Sequence, residues 1–395
     1  MDIPVNISPH IETSENKRGL FEGSRFIAST DSSHQPKIYV YPIKSLRPTQ
    51  LTKATATRHG FAYDRKFMIL QALEDGTYKN MHVSDYPEMT QFLTDIVFPE
   101  DNNGRGSLLV EFVAPSRGQS TTLEIPLVPD TNKLETFDVN MHRSPTKAFK
   151  MPAEYNSWFS SCFGYNVILV YLGDNRRHVL FEEMIPKKSD SWLSTISQNL
   201  PSFGPIGLQD EQITFADCAP YLIVSKTSLA QVSSRLPDGE EMDVTKFRPN
   251  IVVEGAEKPW EEDFWAKIRI NDADIITQHN CVRCKSLNID YKTGLPGLGP
   301  SGEVLKKLQK DRRVDKGSKW SPVFGRYSFW NPRNGEKILS VGDKVTIQKL
   351  NHERTTWSKT SIENLCLIKL LTRHRLGTLI PSTLRGLLSL PNIEC

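Results

Sequence analysis

From Lys37 to Lys349 the sequence is broken into short apolar or alternating runs, each closed by glycine, proline, asparagine or aspartate. Runs of roughly four to eight residues with such closures read as strands joined by turns. "KIYVYPIKSLRP" predicts a strand through Ile38 and Val40 that turns at Pro42. "ATATRHGFAYDRKFMIL" predicts a strand, a Gly60 turn, then Asp64-Arg65-Lys66 feeding the apolar run Phe67 to Leu70. "LLVEFVAP" and "TLEIPLV" continue the pattern, and "EYNSWFSSCFG" reads as a short helix with Trp158, Phe159 and Cys162 on its apolar face. A second series begins at Asn166 with "NVILVYL". It runs through a strand at Tyr221 to Val224, a helix from about Thr227, "DVTKFRPNIVVEG" and "WEEDFWAKIRINDADIITQHN". A charged helix at Val304 to Arg313 precedes "VFGRYSFW" and "KVTIQKL". So many short strands with so little helix predict a mainly β protein with some α, in two barrel- or sandwich-like units.

The expected organisation is a disordered leader over residues 1–35, a β domain over 36–165, a second β domain over 166–350 and a tail over 351–395. The chain has 395 residues, 38% of them hydrophobic and 24% charged, which is ordinary for a soluble globular protein. A net charge of +3 is too small to argue for nucleic acid. The first residues hold no apolar stretch long enough for a signal peptide or membrane span, and Asp2, Glu12 and Glu15 argue against a transit peptide. The expected location is therefore cytoplasmic, with no transmembrane segment; mitochondrial association is allowed, though no targeting segment is visible. From Ser361 to Cys395 the chain turns basic and leucine-rich: an amphipathic segment for a membrane surface or partner, or a tail with no place in the barrel.

The stretch Asn280 to Gly294, "NCVRCKSLNIDYKTG", places Cys281 and Cys284 around an arginine. It runs into alternating Leu287, Ile289 and Tyr291, read as a strand closed by a Lys-Thr-Gly turn. Two thiols so spaced serve as half of a zinc site, a redox dithiol, buried bystanders or a source of one soft-metal thiolate. Zinc wants a second pair, and Cys162, Cys218, Cys366 and Cys395 stand alone. A redox pair wants a helix N-terminus after a strand, and here the order is reversed. Basic or polar residues meanwhile gather at strand–turn junctions: Lys44 with Ser45, Asp64 with Arg65, Arg248 with Asn250, and Arg283 beside the thiols. Such a set suits a phosphorylated, hydrogen-bond-rich heterocycle, and a thiolate beside it adds a soft metal ligand.

In order, the segments "IYVYPIKS", "YDRKFMIL", "ADCAPYLIVSKTSL", "KFRPNIVVEG", "CVRCKSLNIDYKTG" and "VFGRYSFW" resemble the MOSC family over about Lys37 to Lys349. That family joins the molybdenum cofactor sulfurase C-terminal domain with the mitochondrial amidoxime-reducing components. The resemblance implies an N-terminal MOSC β-barrel-like domain and a C-terminal MOSC β-barrel, with the molybdenum cofactor (molybdenum-molybdopterin) between them. It implies Cys284 as the metal-ligating, catalytic thiolate and Cys281 as a non-ligating neighbour. It implies cofactor contacts from Lys44, Ser45, Arg65, Arg248, Asn250, Arg283 and Tyr327, and matches Asp217 to the acid before the "PYLIVS" strand. Cys218, Ala219 and Val282 depart from hydroxyl residues common in amidoxime reducers. The implied activity is reduction of N-hydroxylated or N-oxide substrates, with electrons from a separate donor such as a cytochrome b5 and its NADH-dependent reductase. The alternative is a non-catalytic cofactor-binding or sulfur-carrier module. Pyridoxal phosphate would enter only with the aminotransferase-like module of a full sulfurase, which this sequence lacks.

Overall fold

The computed structural model describes residues 24–26 (backbone pairing only), 38–99, 106–113, 120–179 and 211–358. Among these the protein is mostly strand, with helices at Ala153–Phe163, Lys226–Ser233 and Val304–Gln309. The first half carries a three-stranded antiparallel sheet (Phe92–Val97, Ser107–Val113, Ser120–Pro126) and a five-stranded one built on Phe67–Ala72. Phe92 packs against Phe159 of the helix, at 5.7 Å between rings, so the predicted apolar helix face is the one that is buried. The second half is organised by a nine-stranded sheet whose longest strand, Ala273–Val282, ends in the cysteine stretch.

The two halves are not consecutive beads. Ile38–Val40 and Thr49–Leu51, from the start of the chain, form one edge of the nine-stranded sheet through Ile38 opposite Ile251. Lys53–Thr57 pairs with Lys337–Ser340, more than 280 residues away. Conversely Val167–Tyr171, expected to open the second domain, lies between Phe67–Ala72 and Ser144–Lys150 in the five-stranded sheet of the first half. A continuous apolar run says that both faces are covered, as the burial of all five residues bears out, but not by which sheet. One hydrophobic core crosses the division, joining Phe67, Ile69 and Leu169 to Tyr221, Ile223, Trp265 and Trp330.

Three other local expectations differ from the structure. Leu287 and Asn288 belong to a 3-10 turn, Lys285–Asn288, and the strand is only Ile289–Asp290. The backbone must turn sharply to leave Ala273–Val282, and Leu287 still reaches the core because both conformations bury it. Residues 351–358, placed in the tail, run back over the nine-stranded sheet. Trp357 is 3% exposed, its ring stacked on His279 at 4.9 Å and its indole N–H donating to the Asn280 carbonyl at 3.0 Å. Ser24–Phe26, within the stretch expected to be a leader, pairs with Lys344–Leu350. Residues 359–395, where the leucine-rich segment falls, lie outside the described residues.

One parallel pairing positions the site. Tyr221–Ser225 runs into the helix Lys226–Ser233, and the chain returns as Ile251–Val253 alongside the first strand. The return requires a turn at Arg248-Pro249-Asn250, and this turn sets those residues at the end of the sheet.

Candidate functional site

The turns of both halves meet at that sheet end. The peptide N–H of Arg65 donates to the Tyr41 carbonyl at 2.7 Å, and that of Lys44 to the Phe67 carbonyl at 2.8 Å, which ties "YPIKS" to "DRKF". Ser45, Arg65 and Arg248 all have positive φ (70°, 50° and 57°), in a region that side chains disfavour and that costs roughly 1 kcal/mol or more per residue. His142, with φ 56°, is a fourth. Left-handed backbone at non-glycine residues persists only where surroundings enforce it, and of the eight such residues among those described Arg65, Arg248 and His142 carry side chains of the cleft.

The floor is Tyr41. Its ring carries the Arg65 guanidinium at 4.6 Å and that of Arg248 at 4.3 Å. Asp64, 1% exposed, organises the set: one carboxylate oxygen accepts from the Tyr41 peptide at 2.8 Å and the Asn250 amide at 3.2 Å, the other from Arg65. Asn250 accepts from Arg65 at 3.3 Å and donates to the Tyr39 carbonyl at 3.1 Å. Arg248 donates to the Leu46 carbonyl at 2.9 Å, but its Nη2 and the Tyr41 hydroxyl are buried without a partner. Buried polar atoms are rarely left so, and such orphans mark where a ligand atom belongs.

A second group lies opposite. The Lys44 ammonium bonds the Asp217 carboxylate and, at 3.2 Å, the Phe215 carbonyl. His142 Nε2 is 3.5 Å from Asp217, and its ring stacks on His82. Asp217 opens to the cleft, its side chain 58% exposed. Enclosure by the walls works against its charge, but Lys44 and then His142 outweigh it and hold the carboxyl well below the usual range. Burial lowers the pKa of Lys44 and that of His142, in both cases against the Asp217 charge. Arg177, fully buried, donates to the carbonyls of Thr214 and Ala216 and braces the 213–217 segment from behind.

The thiols divide by environment. Cys281 is 4% exposed and Cys218 5%, and the Tyr327 hydroxyl is close enough to favour the ionised form of both. Burial pushes the Cys218 thiol up to about 12, with the Asp217 charge adding to it, and raises Cys281 as well. Neither is a ready thiolate at neutral pH. Cys284 is half-buried at the start of the 3-10 turn, its sulfur 3.3 Å from the Ser286 hydroxyl. Cys284 and Arg248 both lie close enough to Tyr291 to act on its hydroxyl, which burial pushes up to about 12. Among the described residues no three His, Cys, Asp or Glu side chains converge as a metal cluster.

Of the residues singled out from sequence, Lys44, Arg65, Arg248, Asn250, Tyr327 and Cys284 are thus brought around one cleft. Two turn elsewhere. Arg283 donates to the carbonyls of Phe324 and Phe247 between the rings of those residues, and Ser45 donates to the Met81 carbonyl at 3.2 Å. Sequence reasoning missed Tyr41 and His142 as site builders, and it singled out Asp64 only as the neighbour of Arg65. Tyr41 lies inside "IYVYPIKS" and Asp64 inside "YDRKFMIL", while His142, on a turn between two strands, carries no local signal.

The fold and cleft define a mostly β protein of two interleaved halves with a strongly basic site at their junction. Lys44, Arg65, Arg177 and Arg248 stand there against two carboxylates, Asp64 and Asp217. Residues 35–166 match the MOSC N-terminal beta barrel domain and residues 210–346 the MOSC domain; the chain belongs to the MOSC family. It is 28% identical to mitochondrial amidoxime reducing component 2 of Rattus norvegicus over 317 residues, covering 78% of this chain and 81% of that one. It is 35% identical to mitochondrial amidoxime-reducing component 1 of Homo sapiens over 137 residues, 34% of this chain and 39% of that one. With the molybdenum cofactor sulfurase of Arabidopsis thaliana it shares 27% identity over 326 residues, 80% of this chain but only 35% of the sulfurase. Among the described residues no helix is long and apolar enough to cross a membrane.

Proposed function

We propose that this cleft holds a molybdenum cofactor and that the protein reduces N-hydroxylated or N-oxide substrates by two electrons drawn from a separate donor protein. The observation that carries the reading is the buried, partnerless pair of donors, Arg248 Nη2 and the Tyr41 hydroxyl, in a basic cleft whose rim bears the half-buried thiol of Cys284. An anionic heterocycle with a phosphorylated tail satisfies such donors, and a thiolate satisfies a soft metal. When bound, the cofactor supplies the two-electron redox chemistry.

The contributions proposed for the chain's own residues are these. Cys284 anchors the metal, and Arg65, Arg248 and Lys44 neutralise the anionic tail while Asn250 and Asp64 fix Arg65 in place. Burial keeps the Cys218 and Cys281 thiols protonated, against the opposing influence of the Tyr327 hydroxyl, so that Cys284 is the cysteine left available as ligand. Arg283 belongs to the scaffold that sets the Cys284 turn. Reduction of an N–OH group to N–H with release of water consumes two protons, and Asp217 beside His142 Nε2 places titratable atoms at the cleft mouth. A cytochrome b5 with its NADH-dependent reductase is the proposed donor, by analogy with the amidoxime-reducing relatives. Replacing Cys284 with serine is expected to abolish amidoxime turnover and metal retention while circular dichroism stays native; Cys281→Ser keeps most of both. Equal losses from the two substitutions would overturn the ligand assignment. A metal-loaded wild-type protein that never turns over an amidoxime with any electron donor would instead favour a cofactor carrier.

A further inference from the structure

A second cavity is lined by Lys66, next in sequence to Arg65, and the mechanism makes no use of it. It encloses about 300 Å³, at the lower end of what small-molecule sites occupy. Arg65 and Lys66 are neighbours in sequence, but their side chains part company. Arg65 goes to Asn250 in the cleft, while Lys66 lines this cavity and donates to the Gly173 carbonyl at 2.8 Å. Arg176 lines it too. Neither cation has a carboxylate within ion-pair distance among the described residues, whereas Arg58 on the same wall is already paired with Glu211 at 3.1 Å. The two cations disfavour one another, while the Asp174 charge, beyond ion-pair distance, favours both: burial, and then the Arg176 charge, lowers the Lys66 ammonium to about 8. His59 Nδ1, 2.9 Å from the Gln212 carbonyl, is occupied, and Glu336 is the acid that lines the cavity.

Two orphaned polar atoms belong to this cavity's lining residues. The Thr214 hydroxyl, on a residue 3% exposed, has no partner, and the Nε of Arg176 is buried without one. Phe61, Tyr63 and Trp330 supply the aromatic part of the remaining wall, beside Thr57, Ala62, Pro332 and Gly335. Trp330 offers that wall no polar group, because its indole N–H is spent on the Gly335 carbonyl at 2.7 Å.

The geometry points to a binding site for a small planar carboxylate, its anionic head on Arg176, Lys66 and Thr214 and its flat apolar body against Phe61, Tyr63 and Trp330. A carboxylate accepts several hydrogen bonds at once and meets a guanidinium in its own plane, and an aromatic body fills a wall that water hydrates poorly. This site is independent of the cofactor assignment, although its wall at Thr214 is continuous with the segment that carries Asp217.

Sodium benzoate titrated into the full-length protein, followed by NMR, tests the proposal. Benzoate is expected to bind at least tenfold more tightly than neutral benzamide, and more tightly than inorganic phosphate, which has the charge without the body. Arg176→Gln is expected to weaken benzoate about tenfold or more, the size of one charge-assisted contact. Should that variant not fold, Thr214→Val, which removes a single unpartnered hydroxyl, carries the same expectation in direction. Phosphate binding as tightly as benzoate would reduce the site to an anion hole and overturn the aromatic assignment. Absence of benzoate binding would overturn the whole. So would binding untouched by Arg176→Gln but lost in Arg248→Gln, since the anion would then sit in the cofactor cleft.

Discussion

Asp64→Asn isolates what holds the cleft together before any ligand arrives. The carboxylate is almost fully buried and serves three partners: the Tyr41 peptide, the Asn250 amide and the Arg65 guanidinium. The amide can keep an oxygen toward Tyr41, but its NH2 then faces Arg65, donor against donor. Arg65 itself is 9% exposed, so its charge is left with neither water nor a counterion. Removing one member of such a buried pair costs about 3–5 kcal/mol, because the survivor's desolvation is no longer offset. A surface pair provides the scale: Lys147 and Asp138 lie 3.0 Å apart, but at 62% and 84% exposure Asp138→Asn is expected to change stability by less than about 0.5 kcal/mol. Equilibrium urea unfolding of the two variants and the wild type, with common baselines and slope, measures the difference. If Asp64→Asn lies within about 1 kcal/mol of Asp138→Asn, the buried-pair reasoning fails, and Arg65 must be anchored by its other contacts.

Glu262, fully buried beside Asp263, has its carboxyl pushed up to about 7, by burial first and then by the neighbouring charge. The folded chain therefore holds a proton that the unfolded chain releases from its ordinary value of 4.5, so stability falls as pH rises from there to about 7, by about 3 kcal/mol in all. Glu262→Gln, which keeps an acceptor for Ser228, is expected to flatten the stability–pH curve in that window; a curve of unchanged slope refutes the assignment. Trp357→Ala is expected to destabilise by about 3–5 kcal/mol, as loss of a buried aromatic does. Calorimetry giving less than about 1 kcal/mol would return residues 351–358 to the status of an appendage.

Strand content was legible in the sequence because alternation and apolar runs are local facts, and the helix Ala153–Phe163 and the strand Phe67–Ala72 stand where their patterns put them. The residue types of the cleft were legible too: a lysine, arginines and an asparagine at turn ends, and a cysteine pair closing a long strand. Which side chains share a space was decided only by tertiary structure. Val167–Tyr171 joined the earlier sheet because a run buried on both faces fits any interior slot, and the partner is chosen by packing. Arg283 and Arg248 look alike in sequence, yet one spends its donors on the carbonyls of Phe324 and Phe247 while the other keeps an orphaned Nη2 in the cleft. Likewise Cys281 and Cys284 differ in role through burial, which depends on Tyr327 and Cys218 arriving from distant strands. Composition and period fix the elements since they act between neighbours along the chain; the site depends on contacts among residues up to about 200 positions apart, such as Arg248 with Leu46, and no local pattern encodes those.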